Sequence, residues 1–392
     1  MCAVALALSS CSLISTSDDE PPFEAKEPIA LTPNVPDKSA DVKVSKVVKV
    51  LVEGGTVTSG SLVASDGTEI PGKINQNGWS ARERLEPGTS YELSVTGQGD
   101  DGEEGTITSA FTTQSLTLDQ QTYPSVAPLE GETVGVGMPI IVTFDLPVKN
   151  RALYEKNMKV TTDRDVTGSW TWFSDREAHF RPEQFWPAHT KVNVRLRLNS
   201  LPAGDGVYGQ QSQDIHFEVG DKVVSTVNVA KHRLTYSVDD EVVRRIPVTT
   251  GDQDHQTREG IKVIMEKFSS VRMDAATTGV DSEDPDYYDL DDVRWAMRVT
   301  TSGEFLHAAP WSVGSQGNAN VSHGCTGMST SDAKWLYERS RRGDVVKYVN
   351  SPRPLDDRNG WTDWNVPWSE WTAGSALQTA APSAEPTDDV VD

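Results

Sequence analysis

"VKVSKVVKVLVEGGTV", Val42–Val57, sets aliphatic residues at alternate positions and closes on Gly54-Gly55. An alternation of period two matches a strand with one buried face, and a Gly pair punctuates it as a turn. The same pattern continues in "SLVASDGTEIPGKI" (61–74) and "YELSVTGQGDDGEEGTITSAFTT" (91–113), with further turn signals at Asp66-Gly67 and Pro87-Gly88. Short runs broken at this spacing predict a β-sandwich over 42–114. The layout then recurs. "PSVAPLEGETVGVGMPIIVTFDLPV" (124–148) starts a second series, "WPAHTKVNVRLRL" (186–198) echoes "EPGTSYELSV" (86–95), and "DIHFEV" (214–219) closes it as "TSAFTT" closed the first. A second sandwich is expected over 115–219, with Trp170, Trp172 and Trp186 as core packing rather than a sugar platform.

The chain has 392 residues with 36% hydrophobic content, enough for about three domains. From Asp221 the strands go on in "KVVSTVNVAKHRLTYSVDDEVVRRIPVTTG" (222–251), with a hairpin signal at Asp239-Asp240. One later stretch, "STSDAKWLYERSRRGDVVKYV" (329–349), has helical spacing, with Ala333, Leu336, Tyr337 and Ser340 on one face and Ser331 as its cap. The third domain, 220–350, is therefore mainly β with one or two helices.

The flanks differ in kind. Residues 12–41 are acidic and Pro-rich without a hydrophobic period, which predicts an extended tether. Residues 351–374 carry Trp361, Trp364, Trp368 and Trp371, expected as a subdomain clamped onto the third domain, and 375–392 read as a disordered tail. "MCAVALALSSCSLIS" (1–15) resembles the end of a bacterial lipoprotein signal, with a lipobox at Leu8–Cys11. Cys11 is then the lipidated first residue of the mature chain, and residues 1–11 are a signal remnant whose basic start is expected upstream. The apolar run is too short to span a bilayer.

Lys and Arg number 36 against 58 Asp and Glu, a formal charge of −22. Such a surface repels phosphate backbones, so nucleic acid is not an expected partner. A neutral or cationic one fits better.

The chain has three cysteines, and with Cys11 lipidated and Cys2 removed, Cys325 is the sole free thiol of an exported protein. It closes the dense string Ser322-His323-Gly324-Cys325. A thiol needs a base to become a nucleophile, and a nearby imidazole can hold the ion pair and depress its pKa. His323 lies two residues upstream and His307 eighteen. A partner on a neighbouring strand can face the sulfur directly, which assigns the base to His307. Gly324 permits close backbone approach, and the amides of Gly324 and Cys325 are candidate oxyanion donors. Zinc lacks a fourth ligand at standard spacing, and no metal or organic cofactor is expected.

"HAAPWSVGSQGNANVSHGC" (307–325) resembles the signature of the YkuD-type L,D-transpeptidases, and Pro310-Trp311 resembles their actinobacterial, mycobacterial-type branch. That resemblance implies a mainly β chain: two tandem immunoglobulin-like sandwiches, a YkuD-type catalytic domain and a Trp-rich C-terminal subdomain. It implies Cys325 as nucleophile, His307 as base and the Ala308 main-chain carbonyl as the orienting third member. Ser322, His323 and Trp311 line the site, Met273 sits on a lid formed by 269–289, and Tyr288, or Tyr287 one register away, assists the oxyanion. The expected partners are peptidoglycan stem peptides: a tetrapeptide donor that loses D-Ala, and a diaminopimelate-type amine acceptor joined in a 3→3 cross-link. Carbapenem acylation and a lipid-anchored location on the membrane, facing the wall, are further implications. An L,D-carboxypeptidase and a noncatalytic wall-binding lipoprotein are the alternatives. One departure stands out: the family has Asn or Arg two residues after the Cys, and this chain has Gly327.

Overall fold

The computed structural model describes residues 28–278, 280–284 and 287–379. Cys11, the first part of the expected tether and residues 380–392 lie outside the described residues. Two compact units divide the chain between Gln114 and Ser115, with Arg84–Gly88 joining the second. Among the described residues no helix is long and apolar enough to cross a membrane.

The first unit is a β-sandwich. One sheet runs in the order Ala30–Pro33, Lys49–Glu53, Gly78–Ala81, Gly72–Asn75; the other in the order Ser39–Val42, Glu104–Thr113, Ser90–Gly99, Gly55–Ala64, Glu69–Ile70. The alternation read from the sequence places Val44, Val48 and Val50 inside with Leu62, Leu93 and Val95, while Leu51 faces out. The tether expectation fails from Ala30 onward, because both sheets already recruit strands there. Val35 is buried, and the Asn34 side chain donates to the Val47 carbonyl at 2.8 Å and accepts from the Lys49 amide at 2.8 Å. Prolines flank these strands at sheet edges, where a missing amide is tolerated.

The second unit opens with another sandwich. Its sheets are Pro124–Ala127, Ile140–Phe144, Glu177–Pro182, Gly168–Trp172 and Thr133–Val134, Gln213–Val219, Lys191–Leu196, Met158–Thr162. Trp170, Trp172 and Trp186 lie in its core, as expected, with Phe144 and Phe217.

The third domain follows, and its elements are numbered here from its own first strand. One sheet has the order β3 (Glu241–Pro247), β2 (Arg233–Val238), β1 (Val223–Asn228), β9 (Val345–Val349), β4 (Gly260–Val263). The other has the order β5 (Glu266–Asp274), β6 (Asp289–Arg298), β7 (Phe305–Ala308), β8 (Thr326–Met328). Asp239 and Asp240 both take positive φ, 49° and 68°, as a two-residue hairpin between β2 and β3 demands. Helix α1 (Thr330–Arg339) packs on β6 and β7. Its cap is Ser329, whose hydroxyl accepts from the Asp332 amide at 3.1 Å, and not Ser331. The helix starts one residue after Ser329, so only that hydroxyl reaches the open amide of the first turn.

The Trp-rich segment departs from expectation. Its first part lies along the third domain, with the Ser351 hydroxyl donating to the Thr257 carbonyl, Asp356 paired with Arg258 and the Asn365 side chain bonding both the amide and the carbonyl of Ile261 at 2.8 and 2.7 Å, and its end runs back onto the second sandwich. Trp371 is fully buried, its indole donating to the Ser169 carbonyl at 2.9 Å. The Arg181 guanidinium lies over Trp364, Trp368 and Trp371, 5.0, 5.2 and 4.7 Å from the rings. Desolvated cation–π contacts of this kind contribute about 2 kcal/mol each. Ordered chain continues into a short helix at Ala376–Thr379, pinned because the Ser375 hydroxyl and the Ala376 amide both donate to Glu155. The tail therefore begins later than residue 375.

His179 of the sandwich is part of the same contact. Its Nδ1 lies 3.1 Å from both carboxylate oxygens of Asp363, and its Nε2 lies 3.2 Å from Glu177 Oε1. Burial alone would strip its proton, but the Asp363 charge and the hydrogen bonds to Asp363 and Glu177 more than reverse that, raising its pKa to about 9. A raised folded-state pKa gives stability that is complete below the unfolded value of about 6.5 and disappears as pH rises through about 9, on the order of 3 kcal/mol in all. The melting-temperature gap between wild type and His179→Gln is thus expected to be widest near pH 6 and to narrow by pH 9.5. A gap independent of pH would mean that His179 titrates in the fold as it does in the unfolded chain.

Candidate active site

Strands β7 and β8 run parallel, pairing Leu306 with Thr326 and His307 with Gly327. Cys325 immediately precedes β8, so its side chain falls on the same face of the ladder as that of His307, from the neighbouring strand. The sequence argument for His307 over His323 rested on this kind of placement.

His307 is buried, and its Nδ1 lies 2.8 Å from the Ala308 carbonyl. A carbonyl only accepts, so Nδ1 carries the proton and Nε2 keeps its lone pair. Trp311, 60% exposed, stacks on the imidazole with ring centroids 5.9 Å apart. Burial lowers the His307 pKa, which keeps the ring neutral.

The thiol behaves differently from expectation. Burial pushes Cys325 up to about 12, and its Sγ lies 3.5 Å from the Gly303 carbonyl, to which the thiol donates. Desolvation penalises the charged form of both groups, which favours a neutral thiol beside a neutral imidazole.

Around the sulfur, Met273, Val293, Ala296 and Phe305 form an apolar cluster, with Tyr288 packed against it. Met273 lies near the tip of β5 and Tyr288 just before β6, so an antiparallel β5–β6 hairpin stands where the sequence expected a lid, at 269–289. The structure brings Tyr288, not Tyr287, towards Cys325; Tyr287 instead interacts with Asp274. His323 lies in a row of rings, 5.2 Å from Tyr288 and 4.6 Å from His255.

The turn before the nucleophile is held from inside. The Ser322 hydroxyl donates to the Cys325 carbonyl at 2.6 Å and accepts from the Gly324 amide at 3.2 Å, while Thr257 Oγ1 donates to the Gly324 carbonyl at 2.7 Å. With the Gly324 amide engaged, Cys325 is the one left of the two proposed main-chain oxyanion donors. Gly324 itself sits at φ +119°, a conformation only glycine adopts without strain.

Gly327 has a packing reason. A Cβ there would lie 2.9 Å from Ala309 Cβ and 3.0 Å from Thr249 Cγ2, and the residue exchanges two 2.9 Å main-chain hydrogen bonds with Thr249. The space an Asn would use is filled by those two methyl groups.

Several residues escaped the sequence reading. His255, held by Asp252 Oδ1 at 3.0 Å, extends the ring row, and Lys262, Glu304 and Arg258 form a buried charge cluster behind Cys325. The available signal was a Lys and a Glu embedded in apolar strand sequence, "GIKV" and "GEFLHA".

A family model for a bacterial Ig domain matches residues 39–202, and one for the L,D-transpeptidase catalytic domain matches residues 222–347. The chain is 36% identical over 349 residues to L,D-transpeptidase 2 of Mycobacterium tuberculosis (strain CDC 1551 / Oshkosh), covering 88% of this chain and 85% of that protein. It is 34% identical over 361 residues to L,D-transpeptidase 5 of Mycobacterium tuberculosis (strain ATCC 25618 / H37Rv), covering 89% and 77%. An L,D-transpeptidase solved in complex with imipenem is 35% identical with a TM-score of 0.51, covering 57% of this chain and 97% of that one. A bacterial Ig domain followed by an L,D-transpeptidase catalytic domain defines an enzyme of the YkuD type. The chain belongs to the L,D-transpeptidase family.

Proposed function

We propose that this enzyme forms 3→3 peptidoglycan cross-links through a Cys325 thioester. The observation that carries the reading is the placement of Cys325 and His307 on one face of adjacent strands, with His307 Nδ1 fixed on the Ala308 carbonyl. The sulfur attacks the carbonyl between an L-centre and the terminal D-Ala of a tetrapeptide stem while Nε2 takes the thiol proton. Both partners start neutral, so proton transfer and attack belong to one step. The Cys325 amide and the Tyr288 hydroxyl are the proposed oxyanion donors. The imidazolium then protonates the departing D-Ala amine, leaving a thioester, and a diaminopimelate-type amine of a second stem attacks it.

Supporting this reading are the relatives' names and the imipenem complex of a solved relative. Product analysis on a tetrapeptide donor, with and without an amine acceptor, tests it: a cross-linked dimer is expected whenever acceptor is present. Tripeptide as the sole product under both conditions would make the enzyme an L,D-carboxypeptidase. The membrane anchor at Cys11 and a wall-facing location are proposed on the sequence alone. Retention of a Cys11→Ala variant in the membrane fraction would remove the anchor.

A further inference from the structure

Behind the nucleophile lies a set of buried charges that the chemistry above leaves unused. Lys262, on β4, is wholly enclosed, and its Nζ donates to Glu304 Oε2. The same ammonium stands 3.8 Å from the centroid of the Tyr348 ring, whose hydroxyl is 2.8 Å from Thr326 Oγ1, one residue past Cys325. Glu304, just before β7, accepts on Oε1 from the Arg258 amide and guanidinium, both at 3.1 Å. Arg258 reaches outward to Asp356 at 2.6 Å.

The position of Glu304 is what makes the set unusual. It follows Gly303, whose carbonyl receives the Cys325 thiol, and its Oε1 would lie 3.8 Å from a Cβ on Gly324. A buried carboxylate there opposes any negative charge that grows on the sulfur. Its structural use is visible: it anchors Arg258, next to the Thr257 that holds the Gly324 carbonyl. An apolar pair of similar volume would be as stable as a buried ion pair or more so, so stability alone does not account for Lys262.

We infer that Lys262 is a positioning residue for the reaction at Cys325: Arg258 is shared between Glu304 and Asp356, and the Lys262 ammonium supplies the second positive charge that balances the set, so the sulfur can acquire charge during attack without a net negative group behind it. The inference rests on Cys325 as nucleophile and adds the electrostatic condition under which it works. Burial lowers the Lys262 pKa below its usual value and Glu304 opposes that shift, so the ammonium depends on its carboxylate. The other titratable groups facing the sulfur, Arg298, Tyr288, Tyr348, His307 and His323, stay the same in the variants below.

The test uses the full chain and iodoacetamide, following loss of the unmodified Cys325 peptide by mass spectrometry from pH 7 to pH 10. Far below the thiol pKa the rate rises about tenfold per pH unit, so a displaced line reads a pKa change directly. Lys262→Met is expected to be at least tenfold slower near pH 7, with the gap narrowing towards pH 10 as wild-type Lys262 gives up its proton. Glu304→Gln should be at least as fast as wild type, and Lys262→Met/Glu304→Gln should recover to within threefold of wild type or exceed it. A purely structural cluster would lower the melting temperature of all three and leave the lines superimposed, which would overturn the inference. A double variant as slow as Lys262→Met would also overturn it. Should Lys262→Met not fold, the double variant and Glu304→Gln decide, since a tenfold loss in either is the wrong sign. Alkylation is independent of acyl transfer, so failure of the proposed function would appear separately, as a chain whose Cys325 alkylates normally yet makes no thioester.

Discussion

Cys325→Ala is expected to lose all cross-linking and all carbapenem acylation while its melting temperature stays within a few degrees of wild type. Cys325 is the one free cysteine among the described residues, and its removal leaves a space about one heavy atom in size beside Met273, Val293, Ala296 and Phe305. A change of that size costs about 1 kcal/mol. His307→Ala tests the proton-transfer step. With burial pushing the thiol up to about 12, the base must take its proton for attack at pH 7. Loss of the base should then cost about 10² to 10⁴ in acylation rate, and the remaining rate should climb with pH across the alkaline range. Residual turnover in Cys325→Ala, or a heavier loss in His323→Ala than in His307→Ala at matched stability, would contradict the assignment.

The second large effect concerns what can be cut away. A fragment of residues 115–379 is expected to melt near the full chain's second unit, and a fragment of residues 221–373 more than 10 °C lower, with aggregation. The shorter piece keeps the tryptophans and discards the surface that covers them. Trp371 loses the Ser169 carbonyl, the Trp371 carbonyl loses the Thr171 hydroxyl, and three rings lose the Arg181 guanidinium. Each ring buries about 150–250 Å², worth roughly 4–6 kcal/mol at 25 cal/mol per Å². Differential scanning calorimetry on the two fragments decides it: equal midpoints would mean that the segment docks on the third domain after all.

What could be read in advance follows the range of the interaction. Strand alternation is local, so the two sandwiches and the β-rich third domain were visible in patterns such as Val42–Val57. The site was visible because Ser322–Cys325 is one contiguous turn. Features set by pairing across the chain were hidden. Nothing in "ALTP" or "SADV" tells that these residues join sheets whose partner strands lie some twenty and seventy residues away. Indole rings in "NGWTDWNVPWSEWTAG" announce burial but not against what, and that answer lay near residues 169–181. The neutral thiol was missed because an adjacent His suggests an ion pair, whereas the governing quantity is the depth of burial of both groups.

The C-terminal segment also fixes how the second unit answers to a cut chain. The polypeptide passes from the second sandwich to the third domain at Gly220–Asp221 and then returns to the sandwich with Trp371, Gly374 and Ser375. The two are joined by the covalent link, by the docked return, and by direct bonds from the Gly135 and Gly137 amides to the Arg342 and Gly343 carbonyls at 2.8 and 2.9 Å. A protease that opens the 220–221 connection therefore produces two fragments on a denaturing gel and one particle in solution, with the sandwich acting as a receptor for the enzyme's own C-terminus.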